Sequence, residues 1–227
     1  MNRLVNKAIS QTQIRHVDKF KIRTDWKPDI AISRDPGSGG SVIAEKIATK
    51  LGWKFFNKKI MSEMSLELGI PKEELAHIDE HGRSWFADIF HSFVNPNYVS
   101  DIRYLTHLKK ILNLAAKNQD IVILGRGANL ILPHDKCLRV RITASFKTRV
   151  DNTYKFEKKA NREEAASWVT HIENQRNQFI RQYFGVNPHN PWNYDLVIST
   201  DHLTFDQARN IIIAAFYTKF PSAEKRT

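Results

Sequence analysis

Apolar residues recur along this chain in two rhythms: short runs of four to six residues, and longer stretches spaced by three and four. The first short run is DIAIS at 29–33, a strand. After a glycine-rich turn, Ile43, Ile47, Ala48 and Leu51 fall on one helical face, and Gly52 closes that helix as a C-terminal cap. WKFF at 53–56 reads as a second strand. A helix is expected over about 58–68, ended by Gly69, and Pro71 opens another whose Glu73 and Glu74 complement its dipole. Residues 82–100 break the rhythm; they are rich in aromatics, irregular in period, and read as an insertion over one end of a sheet. Ile102, Leu105, Leu108, Leu112 and Ala115 then mark a long helix that feeds the strand DIVILG at 120–125. LRVRI at 138–142 alternates apolar residues with arginine, as a strand with one exposed face does. Helical spacing occupies 145–159 and 162–184, the second opened by Asn161 and Glu164 in capping-box spacing. YDLVIST at 194–200 reads as a last buried strand. Thr204 and Gln207 form a second capping box before a closing helix with Ala208, Ile211, Ile212, Ala215 and Phe216. Strands alternating with helices predict an α/β fold: a doubly wound, mainly parallel five-stranded sheet flanked by helices.

Composition changes this picture little. The chain has 227 residues, enough for one large domain, and no apolar run approaches the length of a membrane span. The first residues lack an apolar secretory core, so they read as no signal peptide. The single cysteine, Cys137, excludes an internal disulfide, fits a reducing cytoplasm, and reads as packing because no His or acid pattern surrounds it. Charge matters more. The net charge of +11 favours anionic partners such as nucleotides, phosphate esters, nucleic acid or an acidic surface. Part of it sits in a basic arm at 1–28, which equally serves as a solvated, solubilising segment. The main domain is expected over 29–220, followed by a tail at 221–227.

The chemistry concentrates in ISRDPGSGGSVIAEKIATKLG, residues 32–52. Successive glycines let backbone N–H groups turn inward, and a helix N-terminus adds partial positive charge, so a strand-glycine loop-helix unit gathers anions. In the pattern G-x-x-x-x-G-K-[ST], the lysine bridges the outer phosphates and the hydroxyl helps hold magnesium. Aligned on its hydroxyl end, this chain places Ser41 at the metal position and Gly39 at the last glycine. Gly40 then falls where lysine stands and Arg34 where the first glycine stands. Read blandly, Gly37–Gly40 is a tight strand-to-helix turn. Read chemically, the amides still hold an anion, while charge at a transferring phosphoryl group must come from elsewhere. Arg34, Lys54 and Arg149 are candidate stand-ins for the lysine.

Five segments in order resemble the cytidylate kinase-like family, a branch of the P-loop nucleoside monophosphate kinases. They are ISRDPGSGGSVIAEKIATKLGW, VILGRGANLIL, LRVRITASFKTRVDN, QRNQFIRQYFG and NPWNYDLVIST, and the likeness runs over roughly 29–217. The SR…GSGG form without lysine looks like that branch's own variant. The resemblance implies a phosphate loop, an acceptor-binding insertion at about 70–100 and a lid at about 145–190. It implies an ATP-dependent phosphotransferase acting on CMP or dCMP with Mg2+. Gly37, Ser38, Gly39, Gly40 and Ser41, with Arg34, would then hold the ATP phosphates, and Ser41 the metal. Arg126, in GRGAN, matches the arginine of the GRD element that contacts the acceptor monophosphate in CMP kinases; the aspartate of that element is Gly127 here. Arg176 and Arg181 fall in the lid segment, where arginines close over the phosphoryl group in flight, although RNQFIR lacks the aspartates seen in CMP kinases. Arginine suits these roles because its planar fork matches phosphate oxygens. Five residues apart on one helix, Arg176 and Arg181 would lie about 140° apart around its axis and share a face poorly.

Other candidates are weaker. No Asp follows DIVIL in the manner of a second magnesium ligand. His77 and His81 sit at helical spacing without a third ligand and read as surface residues. Trp85, Phe86, Phe90, Phe93 and Tyr98 could stack on an acceptor base or form the insertion's own small core. Three functions therefore compete: a nucleoside monophosphate kinase, a kinase of another small hydroxyl or phosphate compound, and a non-catalytic nucleotide or phosphate sensor. A sensor needs the loop but not the arginines after it. Nucleic acid ranks last as a partner, since paired aromatic-basic strand motifs are absent.

Overall fold

The computed structural model describes residues 27–56, 99–118, 120–157 and 159–224. The expected helices at 58–68 and from Pro71, the bulk of the 82–100 insertion with its aromatic residues, His77 and His81, and the arm to residue 26 lie outside the described residues. Two compact units are distinguished. One includes helix α2 (Val99–Asn118), whose Leu108, Ile111, Leu112 and Ala115 are buried. The other, Lys27–Phe56 with Gln119–Thr227, holds the sheet.

That sheet has five strands: β1 (Asp29–Arg34), β2 (Lys54–Phe56), β3 (Ile121–Leu124), β4 (Cys137–Thr143) and β5 (Leu196–Ser199). Their order is β2-β3-β1-β4-β5, and every neighbouring pair is parallel. Central β1 shows why its run is continuous rather than alternating. Strands covered on both faces bury both side-chain sets, and Ile30, Ala31 and Ile32 are all enclosed. Buried Asp29 accepts the N–H of Ile121 at 3.1 Å and fixes where β1 and β3 begin together. On one face, helices α1 (Gly40–Leu51) and α6 (Phe205–Lys219) lay Ile43, Ile47, Ala208, Ile212 and Phe216 against Ile30, Ile32, Val140, Ile142 and Ile198. Trp53 meets the Phe216 ring edge-on at 5.0 Å. Between the strands run α3 (Ala128–Ile131), α4 (Phe146–Phe156) and α5 (Arg162–Phe184). A short α7 (Pro221–Glu224) begins the segment expected as a tail.

Three expectations change. The arginines of β4 do not line a solvent face: Arg141 is 6% exposed and ion-paired, and Arg139 pairs with Asp195 at 2.7 Å. Strand β5 is the sheet's edge rather than buried; Val197 is 46% exposed and Ile198 alone of its four residues is enclosed. At the start of α5, Asn161 takes the Glu164 N–H, but the Glu164 carboxylate reaches the amide of Ala160 instead of Asn161, so the box is not reciprocal. The Thr204–Gln207 box closes in both directions. Asp195 also receives Lys219 at 2.7 Å, joining the end of α6 to the start of the β5 edge. Partial burial raises the Asp195 pKa, but hydrogen bonds from Arg139 and Lys219 outweigh it and hold the carboxyl at about 2.

Candidate phosphate-binding site

The loop from β1 to α1 is tied down by its carbonyls and its one carboxylate. The N–H of Asp35 bonds Ile142 O at 3.0 Å. Its side chain, 7% exposed, accepts from Arg141 Nη2 at 2.5 Å and from Thr143 Oγ1 at 2.6 Å. The Asp35 carbonyl takes both the hydroxyl of Ser38 at 2.8 Å and its amide at 3.3 Å. Thr200 Oγ1 donates to Ser38 O, and Asn152 Nδ2 to Gly37 O. With these acceptors used, the amides heading α1 are what the loop leaves free. They have no carbonyl four residues back inside the helix, no side-chain cap, and no acidic residue in the first turn. A helix start without a carboxylate keeps its partial positive charge available to an anion.

Glycine is required twice here. Gly37 and Gly39 both have φ of 77°, a left-handed conformation in which a side chain is strained. A Cβ on Gly37 would also strike the carbonyl of Arg149, and one on Gly39 the ring of Phe205.

Three arginines from separate elements come near one another at this end of the sheet: Arg34 at the end of β1, Arg126 just beyond β3, and Arg176 in the middle of α5. Burial pushes the Arg34 pKa well down, and the like charges of Arg176 and Arg126 add to that. Arg176 is lowered to about 10 by burial, against the opposing pull of Asp35, Glu157 and Glu173. Its Nη1 donates to Arg34 O at 3.3 Å, bringing α5 onto the loop. The Arg34 Nε is buried without an acceptor. Arg126 has φ of 57°, alone in this region among the described non-glycine residues, and stands between Gly125 and Gly127, both also left-handed. That backbone costs roughly 1–2 kcal/mol for a residue with a Cβ, and strain retained beside the C-terminal end of a parallel strand marks a place where ligands sit.

Of the residues singled out from sequence, Arg34, Gly37, Gly39, Gly40, Ser41, Arg126 and Arg176 gather at one end of the sheet. Ser38 belongs to the loop but turns its hydroxyl and amide inward to Asp35. Arg181 stands apart: α5 is unbroken, Arg181 is exposed, and it lies in a shallow polar depression with Asn174, Asn177, Gln178 and Gln182. Ser41 is exposed on the first turn of α1. No cluster of three or more His, Cys, Asp or Glu able to hold a metal occurs among the described residues. The Ser41 hydroxyl is the oxygen this loop offers as a candidate magnesium ligand. Cys137 is buried and its thiol is pushed up by that burial, so it stays protonated and inert. Sequence reasoning passed over Asp35, Arg141, Thr143 and Asn152, which hold the loop. The signal for Arg141 was present in LRVRI, but alternation cannot tell a solvated arginine from one paired inside.

Comparison with known proteins adds an independent finding. Residues 29–202 match the model of the cytidylate kinase-like family. A cytidylate kinase of Desulfurococcus amylolyticus is 25% identical over 184 residues, spanning 81% of this chain and 89% of that protein. A cytidylate kinase of Methanopyrus kandleri is 26% identical over 196 residues, spanning 82% and 91%. The crystal structure of an uncharacterized protein from Eubacterium ventriosum ATCC 27560 superposes with a TM-score of 0.61 at 20% identity, over 83% of this chain and 98% of that one, a likeness of fold alone.

Proposed function

This chain belongs to the cytidylate kinase-like family, and on that premise we propose that it transfers the terminal phosphoryl group of ATP to CMP or dCMP. Membership makes it a nucleoside monophosphate kinase-like transferase; the acceptor and the residue roles are our reading. The observation that carries the reading is the set of three guanidinium groups beside an uncapped, acid-free helix start. Arg34 carries the like-charge repulsion of Arg176 and Arg126, and a polyphosphate facing a phosphomonoester would supply opposing charge there.

In this reading the amides of Gly39, Gly40 and Ser41 hold the donor phosphates, and Arg126 holds the acceptor phosphate where β3 ends. An acceptor phosphate oxygen attacks the γ-phosphorus, the bond from that phosphorus to the β-bridging oxygen breaks, and its electron pair leaves with ADP. Arg176, reaching the loop from α5, neutralises charge on the oxygens in flight. The Ser41 hydroxyl would be this chain's ligand to magnesium, which would supply positive charge to offset that of the donor phosphates.

One observation favours a second reading in which the acceptor is a different small phosphate compound. A Cβ at Gly127 would run into the ring of Phe184. The aspartate that follows the arginine in CMP kinases is therefore not merely missing; its space is filled. Initial rates with ATP, Mg2+ and a panel of nucleoside monophosphates and non-nucleotide small phosphates separate the two. CMP or dCMP turns over first in our reading, turnover confined to a non-nucleotide phosphate supports the second, and no turnover at all removes both. Arg126→Ala raises the acceptor KM more than the ATP KM; equal effects would take Arg126 away from the acceptor.

A further inference from the structure

The missing lysine has a structural explanation. A Cβ built on Gly40 would lie 2.5 Å from Arg34 Cβ and 2.8 Å from its Cγ. The stem of Arg34 thus crosses the position from which a lysine would rise. The far end of Arg34 lies against Gly125, where a Cβ would strike Nη1. One glycine makes room for the stem and another for the head. Arg34 is also the last residue of the central strand, with its backbone registered opposite Ile142.

The other basic candidates fall away on position or pairing. Lys54 opens β2, and its N–H bonds Asp120 O just ahead of β3. In a parallel sheet that is the N-terminal edge, opposite the loop, and Lys54 is exposed there. Arg149 is buried but donates to Glu173 at 3.2 Å and lies over the Phe146 ring. The guanidinium of Arg34 makes no hydrogen bond among the described residues, its Nε is enclosed, and two neighbouring arginines repel it. A half-buried cation with its Nε enclosed is costly in that state unless an anion completes it.

We infer that Arg34 takes over the task of the absent lysine, so that the cation on the donor's outer phosphates comes from the end of β1 across Gly40 rather than from the helix. The inference rests on the proposed donor site. It alters the chemistry as well as the address. An ammonium is a mobile point charge, whereas a guanidinium on a central strand offers two parallel N–H groups to adjacent phosphate oxygens in one fixed direction.

Calorimetry with Mg-ATP and with pyrophosphate, on the full chain, tests this together with thermal melting. Arg34→Met is expected to keep or raise the melting temperature of the ligand-free protein and to weaken both ligands by about 30- to 100-fold, as loss of a charged hydrogen-bond donor does. The pair Arg34→Gly with Gly40→Lys, which returns an ammonium to the helix, regains at least about tenfold over Arg34→Gly alone. Unchanged affinity in Arg34→Met overturns the inference. So does a marked drop in its melting temperature, because Arg34 would then be a structural residue. A folded double variant that binds no better than Arg34→Gly overturns the exchange as well. Failure of the wild-type protein to bind Mg-ATP would instead remove the donor site itself, an outcome distinct from these.

Discussion

Replacing Asp35 by Asn removes one negative charge from the root of the loop and changes almost nothing in shape. The carboxylate now satisfies Arg141 and Thr143 at once, at 2.5 and 2.6 Å. An amide has one acceptor oxygen, so one of those donors would face an NH2 group instead. Removing one partner of a buried ion pair costs about 3–5 kcal/mol, chiefly because the other charge stays buried. Arg141 keeps the Tyr194 ring beneath it at 5.7 Å and His189 Nδ1 at 3.0 Å, which places the cost near the lower end, about 3 kcal/mol. For a chain of this size that lowers Tm by roughly 6–12 °C. Urea unfolding followed by circular dichroism measures the free energy, and a thermal melt the shift. Adding Arg141→Met to Asp35→Asn is expected to recover part of the loss, since no buried guanidinium is then left without its carboxylate. Should Asp35→Asn unfold within about 1 kcal/mol of wild type, or the double variant cost the sum of its parts, the loop is not held by this pair.

Three further outcomes are expected. Gly39→Ala costs about 1–2 kcal/mol for its left-handed backbone and more for overlap with Phe205; in a Phe205→Ala background, urea unfolding shows the backbone share alone. Arg126→Gly and Arg126→Ala lose the same guanidinium, yet the glycine variant melts higher, by roughly 2–4 °C for about 1 kcal/mol of relieved strain; equal melting would mean residue 126 is not left-handed in solution. Asp195, held at about 2 when folded against roughly 3.9 unfolded, stabilises fully above the unfolded value and loses that contribution as pH falls through the folded one. The stability gap between wild type and Asp195→Asn therefore closes between about pH 5 and pH 2, and a constant gap across that range would mean the carboxylate is not held by Arg139 and Lys219.

How much was legible from sequence follows from what each residue's role depends on. The strands and helices were readable because burial on a sheet or helix face imposes a period, as Ile43, Ile47 and Ala48 show. The loop was readable because glycine adopts the φ of Gly37 and Gly39 without strain. Arg141 and Asp35 are 106 positions apart, and nothing local distinguishes them from surface charges. Likewise Val197 sits in a run as apolar as β1, but its exposure depends on β5 having a neighbour on one side only. Arg181 carried the same motif-level promise as Arg176. The difference between them is one of helix phase, and an unbroken α5 can bring only one of the two faces to the loop.

The same geometry explains why charge that looks misplaced in the alignment is coherent in three dimensions. Lysine on the helix and glycine at the end of the strand is one way to bring a cation to the outer phosphates. Glycine on the helix and arginine at the end of the strand is another, and each excludes the other, because the two side chains would need the same space above Gly40. The strand-borne solution anchors the cation in the most constrained element of the sheet, hydrogen-bonded to β3 on one side and β4 on the other. Its drawback is repulsion: the like charges of Arg176 and Arg126 add to burial in depressing Arg34, a cost that a bound anion would relieve. Active sites that trade stability for pre-arranged charge behave in this way. Anion binding should then contribute to stability through two routes at once, new contacts and relief of the repulsion on Arg34, and a variant lacking Arg126 or Arg176 keeps only part of the second.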